Sequence, residues 1–240
     1  MKKFVMSFLI LILIPSALAD WFYSSQNIVA NVNIHGEAEV VPSTPSGYID
    51  TATINMTFFP KQTDTQDLLK LYTNPLADFT GNSLKFTFKK PQGKFGFQVN
   101  ADVKTINTYP QITQKIRFPI EGLPKDIKVY TNPSKTIDSE DEGIIRLASE
   151  LVKGEDDLYA AVFKMADWTK NNINYNLSTL TEKASLKASW VLENRQGVCD
   201  ELTSLFIALL RAVGIPARFV SGLSYTNSEL FPENWGTHGW

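Results

Sequence analysis

Cysteine and histidine are nearly absent from this chain: one Cys and two His stand among 240 residues. One cysteine cannot close an internal disulfide, and with two histidines it offers too few ligands for a Cys/His metal site. Neither a metal nor another cofactor is expected. An excess of charge of one sign is missing too, with 23 basic against 25 acidic residues. Lys89-Lys90 is too short for a basic patch, so nothing electrostatic argues for a nucleic-acid partner. Long apolar runs are confined to the N-terminus, and internal repeats and low-complexity stretches are missing. What remains is a chain 43% hydrophobic, enough for one or two cores at roughly 100–150 residues per domain.

The first residues carry an address. Lys2 and Lys3 precede the apolar run FVMSFLILILIP (Phe4 to Pro15), and Ala17-Leu18-Ala19 is a small-x-small cleavage site. The run is short of the roughly 20 apolar residues that span a bilayer. Residues 1–19 are therefore read as a secretory signal cut after Ala19, with an uncleaved anchor as the alternative. The protein is expected to be secreted or on the cell surface, with membrane association possible through residues beyond Trp240. An unpaired thiol in an exported protein points to a reactive role, against the alternative of a small hydrophobe in the core.

Beyond the signal, period two gives way to period 3.6. Ile28, Ala30, Val32, Ile34, Ala38 and Val40 alternate with mostly polar neighbours. The pattern returns at Ala52–Phe58, Leu84–Phe88, Phe95–Val103 and Ile112–Ile120, punctuated by Pro42, Pro60, Pro91 and Pro110. About six strands in an antiparallel sandwich are expected over residues 20–133, with a short helix at Asp64–Tyr72. From 134 onward helices are expected. The first is capped by Asp138 or Ser139 and stopped by Gly154; the second starts near Asp156-Asp157; the third covers Ala184–Glu193; the fourth runs from Cys199 to Gly214. Ala217–Gly222 then reads as a strand, Asn227–Gly236 as a loop, and His238 as the start of another strand. The fold class is α+β.

Cys199 opens the fourth helix, where unsatisfied backbone N–H groups and the helix dipole favour an anion, and hence a thiolate. Cys199, Leu202, Phe206, Leu209 and Val213 share a face by their spacing, so the cysteine is either a nucleophile or the end of a buried stripe. Asp200 and Glu201 suit the positive end of the helix but oppose a second negative charge. Gln196 is a candidate oxyanion donor or a loop cap. Trp168, Trp190 and Trp235 are candidates for a cleft or for the core. His35, on the polar face of a strand, is read as idle. Asn55-Met56-Thr57 and Asn176-Leu177-Ser178 match the short glycosylation pattern.

Several blocks together carry a resemblance: Asn172-Ile173-Asn174-Tyr175, Gly197-Val198-Cys199-Asp200-Glu201, Leu205 to Arg211, Gly214-Ile215-Pro216-Ala217-Arg218, Gly222 and His238-Gly239-Trp240. From about Ile137 to Trp240 the chain resembles the transglutaminase-like superfamily, a branch of the papain-like cysteine enzymes, in its exported prokaryotic form. The resemblance implies Cys199 as nucleophile and His238 as base. It also implies an orienting aspartate on a strand after the histidine, beyond Trp240, so the 240 residues read as a piece of a longer protein.

The expected whole is a signal at 1–19, a β-sandwich-like domain at 20–133 and an incomplete transglutaminase-like domain at 134–240. Its expected activity is hydrolysis of an amide or peptide bond in a protein or peptide substrate, in preference to transamidation. Gln196 and Trp235 are the candidate substrate-binding residues. A surface binding module that keeps the fold without catalysis is the rival reading.

Overall fold

A computed structural model describes residues 26–106, 111–179, 186–225 and 235–239, with backbone alone at Tyr225, Trp235 and Thr237. The expected signal at 1–19 and most of the expected 227–236 loop lie outside the described residues. The chain divides into two compact units, one ending at Pro110 and one starting at Gln111.

Among the described residues the first unit is all β. Its strands are β1 (Asn27–Val40), β2 (Thr51–Met56), β3 (Gln66–Asn74), β4 (Asp78–Thr80), β5 (Ser83–Lys89) and β6 (Gly93–Ile106). They form two antiparallel sheets in the orders β1-β6-β3 and β2-β5-β4. In β1 and β2 the even-numbered residues turn inward, as their alternation requires. Val99, Ile34 and Leu71 of the first sheet share one core with Leu84, Phe86, Ile54 and Met56 of the second. The Phe86 and Phe97 rings stack across it at 4.7 Å. This is a sandwich.

The helix expected at Asp64–Tyr72 is instead strand β3. Its register on β6 slips between Leu68 and Lys70, so Leu69 is an extra residue in the ladder. That bulge turns Leu68 and Leu71 to the same half-buried side, three positions apart, which imitates helical spacing.

The strand expected at Ile112–Ile120 does not form either. One isolated bridge joins Arg117 to Asp157, and Pro119 has no N–H to extend a ladder. Phe118 is buried in the core of the second unit and Ile120 packs on it, whereas Ile112 and Ile116 are exposed. Residues 111–133 thus join the helical unit, and the division falls at Pro110 rather than Pro133.

The second unit begins with a short α1 (Lys125–Lys128) and a turn of 3-10 helix at Val129–Thr131. There follow α2 (Glu142–Leu151), α3 (Leu158–Asn172), β7 (Asn174–Tyr175), α4 (Ala188–Asn194), β8 (Gln196–Gly197), α5 (Cys199–Ala212), β9 (Ser221–Tyr225) and β10 (Trp235–Gly239). Asp141, not Asp138 or Ser139, caps α2, accepting from the N–H groups of Gly143 and Ile144 at 2.9 and 3.2 Å. Asp138 serves α4 instead, taking the Ser189 N–H at 3.0 Å and its hydroxyl at 2.6 Å. Residues 180–185, the start of the expected third helix among them, lie outside the described residues.

Helix α5 is the hub. Leu205, Ala208 and Leu209 bury into a core shared with Ile144 and Ala148 of α2, Ala161 and Met165 of α3, and Ala188 and Val191 of α4. Its C-terminus closes on Gly214, at φ +79°. The Ile215 N–H reaches Leu210 O at 3.0 Å and the Gly214 N–H reaches Arg211 O at 2.9 Å, which is a Schellman end. The strand expected at Ala217–Gly222 is displaced to Ser221–Tyr225. The Ala217 N–H donates to Tyr130 O, and its carbonyl accepts two guanidinium N–H groups of Arg211, so residue 217 has nothing left for a ladder.

Candidate thiol site

Cys199 is the first residue of α5, behind an extended Val198 at the N-cap position. Valine has no side-chain acceptor. Glu201 supplies one, its Oε2 accepting the Val198 N–H at 2.9 Å and its Oε1 the Leu186 N–H at 3.4 Å. A buried carboxylate at this end also faces the positive pole of the helix. Gly197 lets the chain enter so closely, since a Cβ there would stand 2.8 Å from that of Glu201.

The face of α5 that meets the core is offset from the expected one. Glu201, Ser204, Leu205 and Ala208 are buried along it, whereas Cys199, Leu202, Phe206 and Val213 are half-buried and only Leu209 of the expected stripe is buried. Cys199 thus sits on the flank of the helix, partly open, rather than at the end of the core stripe.

Two short strands bring further side chains to it. Parallel pairing sets Asn174 beside Gln196 and Tyr175 beside Gly197, with the Asn176 N–H on Gly197 O at 2.9 Å. The Tyr175 phenol is thereby brought beside Cys199. Local burial, and then the charge Cys199 can carry, push the Tyr175 phenol above its ordinary range. It is therefore a neutral group near neutral pH. Sequence reasoning saw Tyr175 only as part of a motif, because a strand of two residues has no periodicity to read. Gln196 is half-buried, and its Oε1 accepts from Asn176 Nδ2 at 2.8 Å.

His238 lies within β10 rather than at its start, paired with Gly222 of β9 and half-buried. The next residue is tied to α5, with the Thr203 hydroxyl donating to Gly239 O at 3.1 Å. Thr203 is about one helical turn beyond Cys199 and shares its side of the helix. Gly239 accepts the Phe219 ring against its backbone, where any Cβ would overlap it. The strand bearing His238 therefore runs against the turn of α5 that follows Cys199.

The other candidates separate. Trp235 opens β10, but its side chain lies outside the described residues. Trp168 and Trp190 pack on the helical core, and the Arg195 guanidinium covers the Trp168 ring at 4.7 Å. His35 is exposed on β1 of the first unit. Among the described residues no group of three or more His, Cys, Asp or Glu could hold a metal ion. No described helix is long and apolar enough to cross a membrane.

Residues 145–240 match the sequence profile of the transglutaminase-like superfamily. The protein YebA of Bacillus subtilis (strain 168), itself uncharacterized, is 31% identical over 96 residues. That alignment takes in 38% of this chain and 13% of YebA, so the chain spans a small part of that relative. The crystal structure of a candidate cysteine protease from Cytophaga hutchinsonii superposes with a TM-score of 0.61 at 21% identity, over 89% of this chain and 73% of that one. At that identity the likeness concerns the fold. Profile and fold agree over the second unit: residues 145–240, with the helix that opens on Cys199, are similar to the transglutaminase-like superfamily, and the fold is like that of the Cytophaga protein.

Proposed function

We propose that this is an exported cysteine enzyme that opens amide or peptide bonds of protein or peptide substrates through Cys199 and His238. The observation that supports it is the Thr203–Gly239 hydrogen bond, which ties the histidine strand to the helix begun by Cys199. In this reading His238 takes the thiol proton as Cys199 Sγ attacks the carbonyl carbon. The Cys199 N–H and the Gln196 amide donate to the oxyanion. Collapse breaks the C–N bond, and the amine leaves with the proton held by His238. Water then adds to the thioester as His238 accepts its proton, and the acid and the free thiol are released. Water is preferred to an amine as acceptor because the sequence carries no feature that would hold an amine.

Alkylation tests the pair directly. At neutral pH the folded protein should react with iodoacetamide faster than a free thiol, and His238→Ala should slow that reaction at least about tenfold. Cys199→Ser should not react at all. Equal rates in wild type and His238→Ala would remove His238 from the role of base. Export rests on the N-terminal run and predicts a processed protein that begins at Asp20. N-terminal sequencing of the cell-surface or medium fraction checks it, and an intact Met1 there would contradict cleavage.

A further inference from the structure

We infer that Asn176 is a positioning residue that sets the orientation of the Gln196 amide, so that Gln196 offers N–H groups rather than its oxygen to the reacting carbonyl. The inference rests on the acyl-transfer reading of Cys199 and deepens it.

The orientation follows from a chain of hydrogen bonds with one consistent solution. The Ser178 backbone N–H can only donate, and it lies 3.0 Å from the Asn176 side chain. The atom it meets must therefore be Oδ1, which fixes Asn176 Nδ2 as the group on the other side. An NH₂ group can only donate in turn, so the Gln196 atom 2.8 Å away must be Oε1. Gln196 Nε2, with its two N–H groups, is then the end turned away from Asn176. Unaided, an amide can present either end, and the wrong end would set an oxygen against a developing oxyanion.

The backbone around Asn176 is built to hold this orientation. Its N–H is bonded to Gly197 O at 2.9 Å, in the parallel pair that also aligns Gln196 with Asn174. Its carbonyl accepts the Thr179 hydroxyl at 2.8 Å and the Thr179 N–H at 3.1 Å. The side chain is half-buried. The glycosylation pattern at Asn176-Leu177-Ser178 thus falls on an amide already engaged at both ends.

The decisive variant is Asn176→Asp. A carboxylate still accepts the Ser178 N–H, so the local turn is kept, but it cannot donate to Gln196. Gln196 must swing its NH₂ toward the new charge and leave Oε1 facing the reaction. Two probes separate chemistry from fold. Acylation by p-nitrophenyl acetate, read as a burst of p-nitrophenol, needs an oxyanion donor; alkylation by iodoacetamide needs the thiolate but no oxyanion donor.

Asn176→Asp and Gln196→Ala should each slow acylation at least about tenfold while alkylation stays within about twofold of wild type. Asn176→Asp in a Gln196→Ala background should add no further loss, because the two act as one unit. If Asn176→Asp acylates like wild type while Gln196→Ala is slow, Asn176 does not position Gln196 and the inference falls alone. It falls as well if acylation and alkylation slow together, since Asn176 would then only support the fold. Wild-type speed in Gln196→Ala removes the donor and the inference but leaves Cys199 and His238 in place. A wild-type protein with no burst and with free-thiol alkylation overturns the acyl-transfer reading itself, and this inference with it.

Discussion

A phenol beside a thiol contributes differently according to which of the two is charged. Burial is the first cause that raises the Tyr175 pKa, and negative charge on Cys199 is the second. Tyr175 therefore keeps its proton at pH values where an ordinary tyrosine, near pH 10, has lost it. The sign of the stability effect follows. Below about pH 10 both folded and unfolded chains hold the proton, and Tyr175 adds no pH dependence. Above it the unfolded chain releases the proton first, so stability falls as pH rises. The effect is small, because the residue is 58% exposed. In an absorbance titration of the phenolates, the transition missing from Tyr175→Phe should be a late one. Loss of an early transition would contradict the raised pKa beside Cys199.

The start of α5 is held by an acid that takes no part in the proposed chemistry. Glu201 is 4% exposed and accepts the N–H of Val198, at the start of its own helix, and the N–H of Leu186, half-buried on the preceding segment. Glu201→Ala would leave the buried Val198 N–H unmet, at a cost of about 1–3 kcal/mol. Urea unfolding should show that loss, and an unchanged midpoint would mean that water replaces the carboxylate. The sequence announced Glu201 as an acid suited to the helix dipole, and it announced α5 itself through its spacing and the Gly214 stop. The face turned to the core was misjudged. Leu202 and Phe206 read as core residues by hydrophobicity, yet three other helices converge on the side of Leu205 and Ala208. Only tertiary packing decides between adjacent apolar stripes on one helix. Strand β3 was hidden for a related reason, since a bulge at Leu69 broke the period of two that reveals its partners β1 and β6. The helix start at Cys199 and the strand carrying His238 were legible because each is set by local sequence. Tyr175 and Asn176 were not, because their places depend on a parallel pair between segments 20 residues apart.

At the scale of the molecule, each unit has a core of its own, and the second needs the stretch before its first long helix. Phe118 is 6% exposed among the helical core residues, and Ile120 packs beside it. The Leu158 N–H bonds Ile116 O at 2.7 Å, and the Phe118 N–H bonds Asp156 O at 3.0 Å, so the segment is stitched to the start of α3. Farther on, Arg211 Nη1 donates to Asn132 O at 2.7 Å and the Ala217 N–H to Tyr130 O at 3.1 Å. Arg211 is partly desolvated there, which lowers its pKa without discharging a guanidinium. A fragment of residues 111–240 should therefore unfold in one cooperative step. One that begins at 134 loses a buried phenylalanine, itself worth about 3–5 kcal/mol, together with the acceptors of Arg211 and Ala217. It should be unfolded or should lack a cooperative transition, with weak near-ultraviolet dichroism. Equal stability of the two fragments would return the boundary to Pro133 and make the packing of Phe118 incidental.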